Sequence, residues 1–198
     1  MNSDSTIKVL GFSGSLRQRS LNTAALNTAC ELTPIGMGIY IFDLAPIPLY
    51  NQDIKDRGFP LIVEKFRREI KEADALLIVT PEYNYSIPGV LKNAIDWASR
   101  PPHQAFNGKP IGIMGASPSV FGTVRAQTHL RQILTPLNGL VMNSPEVFIN
   151  NADKKFDNEG LMIDRETRDF IVKYLNSLKQ WILKIKAPNL PECWGWVN

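Results

Sequence analysis

Between residues 13 and 22 the chain gathers Ser13, Gly14, Ser15, Arg17, Arg19, Ser20 and Asn22. Small residues let backbone N–H groups turn inward around a guest, and hydroxyls add further donors. A helix beginning just beyond them adds partial positive charge at its N-terminus. Arginine supplies full charge in a planar fork that suits phosphate oxygens. The stretch reads as a phosphate cradle. A second cluster, Thr-Pro-Glu-Tyr-Asn-Tyr-Ser at 80–86, has a different chemistry. Pro81, Tyr83 and Tyr85 offer a surface for a flat heteroaromatic ring, while Glu82, Asn84 and backbone groups offer partners for atoms along its edge. A turn ahead of a helix, with tyrosines on the surface, accounts for the same residues equally well. A third unusual stretch, Gly-Ala-Ser-Pro-Ser-Val-Phe-Gly-Thr-Val-Arg, occupies 115–125.

These stretches need elements to hold them, and the hydrophobic pattern supplies them in alternation. Strands are expected at 7–10, 38–43, 75–79 and 110–115, with a fifth at 140–142 or 146–149. The continuous apolar run Ala-Leu-Leu-Ile-Val at 75–79 marks a strand buried on both faces. Helices are expected at 21–32 with Ser20 as N-cap, at 59–71, at 88–99 opened by Pro88, at 123–134 and at 165–186. Five strands separated by helices and short loops predict a single domain over 1–198. Its fold is α/β, a doubly wound five-stranded parallel sheet with helices on both faces. Residues 187–198, with two tryptophans, form a C-terminal extension. Ligands of such sheets sit beyond the carboxyl ends of the strands, where the three stretches fall.

Composition narrows the partners. The chain has 198 residues, 44% hydrophobic and 21% charged, with a formal net charge of +3. That is ordinary for a soluble globular protein, and a mild charge without a basic cluster argues against a nucleic-acid surface. Cys30 and Cys193 form no C-x-x-C pair, which argues against a disulfide framework and for a reducing, cytoplasmic setting. No signal-peptide pattern and no membrane-spanning apolar run is expected. His103, in a proline-flanked loop, and His129, on a helix, make no metal site.

The first stretch lacks G-x-x-x-x-G-K-[ST] and G-x-G-x-x-G, and no cysteine precedes an arginine at a phosphatase spacing. Asp43 reads as the cap of a turn before it reads as a ribose-binding acid. What remains is a loop that holds a terminal phosphate by hydroxyls and arginine. Taken together, G-F-S-G-S-L-R-x-x-S-x-N and P-E-Y-N-Y-S-I-P-G-V-L-K-N-A-I-D-W resemble the NADPH-dependent FMN reductase family, and most closely its chromate/quinone reductase and azoreductase-like branch. The resemblance runs from about Lys8 to the final helix. It implies a flavodoxin-like fold.

The resemblance further implies that Ser13, Ser15, Arg17, Ser20, Asn22 and Thr23 wrap the phosphate of a bound FMN. It runs Pro81, Glu82, Tyr83, Asn84 and Ser86 along the ring and ribityl chain, and sets Ser117 beside the flavin with Gly122 for close approach. NADPH or NADH is the implied reductant. Quinones, azo compounds, chromate or free flavin are the implied small-molecule acceptors, reduced in ping-pong fashion by hydride passing through flavin N5. FMN carries the chemistry, so no catalytic side chain is required. A homodimer or homotetramer is implied, with Arg100 reaching across the interface and Arg125 and Glu146 as an inter-subunit ion pair. Tyr50, Tyr85 and Phe121 are expected to set acceptor preference. A flavodoxin-type electron carrier without direct NAD(P)H turnover is the competing expectation. The charge of +3 speaks against it, because carriers of that type tend to be acidic.

Overall fold

The apolar run at Ala75–Val79 becomes the central strand of the sheet, and every one of its residues is buried. A computed structural model describes residues 6–187. Its strands are β1 (Ile7–Ser13), β2 (Met37–Ile41), β3 (Ala75–Val79), β4 (Pro110–Ala116), β5 (Leu140–Val141) and β6 (Val147–Ile149). The helices are α1 (Leu21–Glu31), α2 (Gln52–Asp56), α3 (Leu61–Glu72), α4 (Gly89–Ala98), α5 (Val124–Leu134) and α6 (Arg165–Lys186). All pairings are parallel, in the order β2-β1-β3-β4-β5, with β6 also on β4. Residues 188–198, including the tryptophan-bearing extension and Cys193, lie outside the described residues.

Alternation along the strands divides the core in two. Val9, Leu77, Val79 and Met114 face α1 and α6, packing with Leu26, Ile171, Leu175 and Leu178. Leu10, Phe12, Leu76, Ile78 and Ile113 face the other way, onto Phe66 and Ile70 of α3, Leu91 and Trp97 of α4, and Leu130 of α5. The sheet is therefore wound on both faces, as expected of strands whose side chains alternate between two buried sides. No helix among the described residues is long and apolar enough to cross a membrane.

Three details depart from the sequence reading. β1 runs on to Ser13, pairing Phe12 with Ile78 and Ser13 with Val79. Gly11, which looks like loop, is strand, paired with Ile41 and Leu77, and glycine is needed there because a Cβ would lie 2.8 Å from Leu26 Cδ1 and 3.0 Å from Ile39 Cγ2. The two alternatives for the fifth strand both form. β5 pairs with Pro110 and Ile111, and β6 pairs with Met114 through Ala116, so one edge position is shared by two short pieces. A bend at Ser144–Pro145 separates them, so the five-position sheet has an edge made of two pieces, six strands in all. α2 was not anticipated; it buries no side chain and is capped by Asn51, whose Oδ1 accepts the Asp53 N–H at 2.8 Å.

Candidate active site

Because the sheet is parallel, the loops after β1, β3 and β4 emerge at one end, and backbone bonds lock them together. The Gly14 N–H donates to the Val79 carbonyl at 2.8 Å, and the Thr80 N–H to the Met114 carbonyl at 3.0 Å. The first loop is tied by its own hydroxyls. Ser13 Oγ accepts from the Ser15 N–H and from the Thr23 hydroxyl, each at 3.2 Å. Ser15 Oγ accepts the Arg17 N–H at 3.4 Å. Ser20 caps α1 as expected, its Oγ accepting from the Asn22 and Thr23 N–H groups at 3.2 Å.

Arg17 and Arg19 are exposed, and neither guanidinium has a hydrogen-bond or ion-pair partner among the described residues. Two free cations therefore flank a hydroxyl-rich loop at a helix N-terminus. A cavity of about 150 Å³ opens beside it, lined by Arg19, Ser20, Thr23, Asn27 and the turn at 157–160.

Asn22 takes a position the sequence does not disclose. It is buried, its Nδ2 donates to the Ala116 carbonyl and its Oδ1 accepts the Ala116 N–H, both at 2.9 Å. The amide copies a strand partner for the last residue of β4. Its side chain holds the first loop to the third.

The second loop contains a hairpin. Tyr83 and Ser86 exchange backbone hydrogen bonds at 2.9 and 3.0 Å around Asn84 and Tyr85, whose φ values are +50° and +66°. Two left-handed central residues define the tight turn that glycine and asparagine usually fill, and for tyrosine the conformation costs on the order of 1–3 kcal/mol. Attachments to α5 hold both ends of this strained turn. Glu82 Oε2 accepts the N–H groups of Arg125 and Ala126 at 3.0 and 3.1 Å, and Oε1 lies 3.3 Å from Arg125 Nη1. Thr123, at the N-cap position, makes no side-chain cap, so Glu82 caps α5 from a distance of 43 residues in sequence. At the other end, Ser86 Oγ lies 2.7 Å from His129 Nδ1. Pro81 is buried against the first loop, where a Cβ on Gly14 would sit 3.4 Å from its Cδ.

In the third loop, Ser117 Oγ accepts the Ser119 N–H at 3.1 Å. Gly122 adopts φ +61° and donates to the Ser119 carbonyl at 3.2 Å, so a left-handed turn requires the glycine. The Arg125 guanidinium lies between two rings, 4.1 Å from the Tyr85 centroid and 4.7 Å from that of Phe121. Tyr83, Tyr85, Val120, Phe121 and Leu16 are all more than half exposed around this end of the sheet.

Other residues singled out in the sequence have partners within the chain. Within the chain Arg125 pairs with Glu82, while Glu146 pairs with Arg131 at 3.5 Å. Arg100 folds back on α4, donating to the Asp96 carbonyl at 3.0 Å and the Ser99 hydroxyl at 3.0 Å. Asp43 caps its turn, accepting the Ala45 N–H at 2.9 Å. Asn93 and Trp97, from the long second motif, both donate to the Pro48 carbonyl at 2.8 Å and fix the proline-rich loop that carries Tyr50.

A cradle of hydroxyls, two unpaired arginines and a neighbouring aromatic hairpin fit a ligand with a terminal phosphate and a planar ring. Comparison with known proteins shows the family of the chain. Residues 7–154 match the family model described as NADPH-dependent FMN reductase. The chain belongs to that family. It is 54% identical over 181 residues to the NAD(P)H-dependent FMN reductase of Pseudomonas aeruginosa, covering 91% of this chain and 98% of that one. The quinone reductase of Escherichia coli K12 is 42% identical over 183 residues, covering 91% and 97%. Among solved structures, the flavoenzyme NAD(P)H:(acceptor) oxidoreductase FerB from Paracoccus denitrificans superposes with a TM-score of 0.82 at 34% identity, covering 90% of this chain and 98% of that one. The protein is an NAD(P)H-dependent flavin enzyme of flavodoxin-like fold, with FMN as cofactor.

Proposed function

We propose that the protein is an FMN-dependent NAD(P)H:quinone oxidoreductase that takes reductant and acceptor in turn at one crevice, with ping-pong kinetics. The observation that carries the reading is the free pair Arg17 and Arg19 beside the hydroxyl-tied loop, next to the Tyr83–Ser86 hairpin. Ser13, Ser15, Arg17, Ser20 and Thr23 would hold the FMN phosphate. Pro81, Tyr83, Asn84 and Ser86 would line the ring and ribityl side, and Ser117 and Gly122 would close the third edge. Glu82 and Asn22 contribute by holding these loops in place. When bound, FMN supplies the hydride and electron chemistry; the side chains bind, orient and shield.

Quinones are the first acceptors to test because several relatives carry that name, and azo compounds, chromate and free flavin belong on the same panel. The exposed apolar group Leu16, Tyr83, Tyr85, Val120 and Phe121 supports a homodimer or homotetramer in which a second copy covers the crevice mouth. FMN-loaded protein should bleach anaerobically on addition of NADPH or NADH and recover its colour with benzoquinone. Arg17→Ala should weaken FMN binding roughly tenfold, as for loss of an exposed charged hydrogen bond to phosphate. Protein that takes up no FMN, or an FMN complex that NAD(P)H does not bleach, would refute the proposal.

A further inference from the structure

The contact between Ser86 and His129 ties the hairpin to α5, and it also joins a hydroxyl to an imidazole, a pair able to pass a proton. The two residues are 43 apart in sequence, and Ser86 Oγ meets His129 Nδ1 at 2.7 Å. Neither side chain has another hydrogen-bond partner among the described residues. Ser86 is half-buried at the close of the hairpin, while His129 is exposed on α5. When the imidazole is neutral, Nδ1 accepts and the hydroxyl hydrogen of Ser86 is engaged. When it is protonated, Nδ1–H donates and the hydroxyl hydrogen is free for another acceptor. The charged groups on the elements packed there are already matched. Arg125, one turn back on α5, is paired with Glu82, and Arg131 is paired with Glu146. Tyr83 and Tyr85 of the hairpin are the other titratable groups nearby.

We propose that Ser86 and His129 form a proton relay that serves the acceptor, an inference that rests on the oxidoreductase function above. A quinone that accepts a hydride is left with one oxyanion and needs one proton to become the hydroquinone. The Ser86 O–H bond breaks as its proton passes to that oxygen. The Nδ1–H bond of the His129 imidazolium breaks as its proton passes to Ser86 Oγ. The exposed imidazole then regains a proton from solvent, so charge and atoms balance over the turnover. Ser86 is the catalytic residue in this step, and His129 acts through it.

The test compares unsubstituted FMN-loaded protein with His129→Asn and Ser86→Ala. Asparagine sets an amide near the place of Nδ1, which keeps a hydrogen bond to Ser86 but removes the titrating group. Benzoquinone needs electrons and a proton, whereas ferricyanide needs electrons only. In both variants the ratio of benzoquinone to ferricyanide turnover should fall about tenfold or more, within the usual range for a lost acid-base partner. Independently of turnover, the ¹⁵N signal of His129 Nδ1 should show a hydrogen bond that Ser86→Ala abolishes. An unchanged ratio, with both acceptors slowed equally or neither slowed, would overturn the relay, as would an Nδ1 signal insensitive to Ser86→Ala. Failure of the unsubstituted protein to bind FMN would instead overturn the oxidoreductase function itself.

Discussion

Glu82 offers the sharpest test of how the site is held. Its carboxylate is only 12% exposed and accepts two N–H groups in the first turn of α5 while facing the Arg125 guanidinium. Replacing it with alanine removes three contributions. Losing a helix cap costs about 1 kcal/mol. Losing a negative charge from a partly shielded helix N-terminus costs on the order of 1 kcal/mol. The ion pair adds at most about 1 kcal/mol, because Arg125 remains a third exposed and solvent screens it. Glu82→Ala should therefore cost roughly 2–3 kcal/mol, or about 5–10 °C in Tm for a domain of this size. Glu82→Gln keeps an acceptor for the N–H groups but not the charge, and should cost about 1 kcal/mol. Urea unfolding of the FMN-free protein, followed by far-UV circular dichroism, measures both. An alanine variant within about 0.5 kcal/mol of the parent would refute the capping role, since that is the scatter of ordinary surface substitutions.

Three further outcomes follow from particular contacts. Asn22→Ala should lower stability by about 1–3 kcal/mol, because it strands the N–H and carbonyl of Ala116, and Asn22→Asp should be worse because a carboxylate faces the Ala116 carbonyl; urea midpoints rank the two. Arg67 donates to the carbonyls of Trp97, Ala98 and Arg100 at 3.3, 3.2 and 2.6 Å, to those of Pro102 and His103, and stacks 4.2 Å from the Phe59 centroid. Arg67→Met should cost about 2–4 kcal/mol in urea unfolding, and Arg67→Lys should not restore it, because one ammonium cannot span that fork. Burial alone would raise the Asp74 carboxyl, but Lys186, the Lys8 N–H and the charge of Lys109 outweigh it and hold it below the ordinary range. A lowered folded-state value contributes stability above the unfolded value of about 3.9 that is lost as pH falls through the folded one. Asp74→Asn should thus be less stable than the parent at neutral pH, with the difference closing in urea titrations run from about pH 5 downward.

What the sequence disclosed, and what it hid, separates along one physical line. Segments whose side chains face a core carry their period in the chain itself, so the run at Ala75–Val79 and the stripe of α6 were legible. α2 was not, because five residues with no buried side chain have no period to read. The split of the edge strand was half legible: both apolar pieces are visible, but only the register on β4 shows that they share one position. At the site, local devices such as the Ser20 cap could be read because donor and acceptor are two or three residues apart. Asn22 to Ala116 spans 94 residues, and Glu82 to Arg125 and Ser86 to His129 span 43 each. No spacing rule links such pairs, so residue type alone does not disclose that Asn22 and Glu82 brace the loops from which they come.

That bracing bears on how the crevice works. A hairpin with two left-handed residues has no local reason to keep its shape, and the short first loop is tied mainly by hydroxyls that a phosphate would compete for. Both depend on firmer partners: the first loop on Asn22 bound to β4, and the hairpin on α5 through Glu82 and Ser86. α5 is in turn seated by Leu130 and Leu134 in the core beside β4. Motions of α5 against the sheet would therefore move the Tyr83–Ser86 hairpin and the Arg125 stack together while the first loop, fixed by Asn22, stayed in place. A core substitution that loosens α5, such as Leu130→Ala, should accordingly weaken acceptor reduction more than it weakens retention of the FMN phosphate, although Leu130 lies wholly within the core.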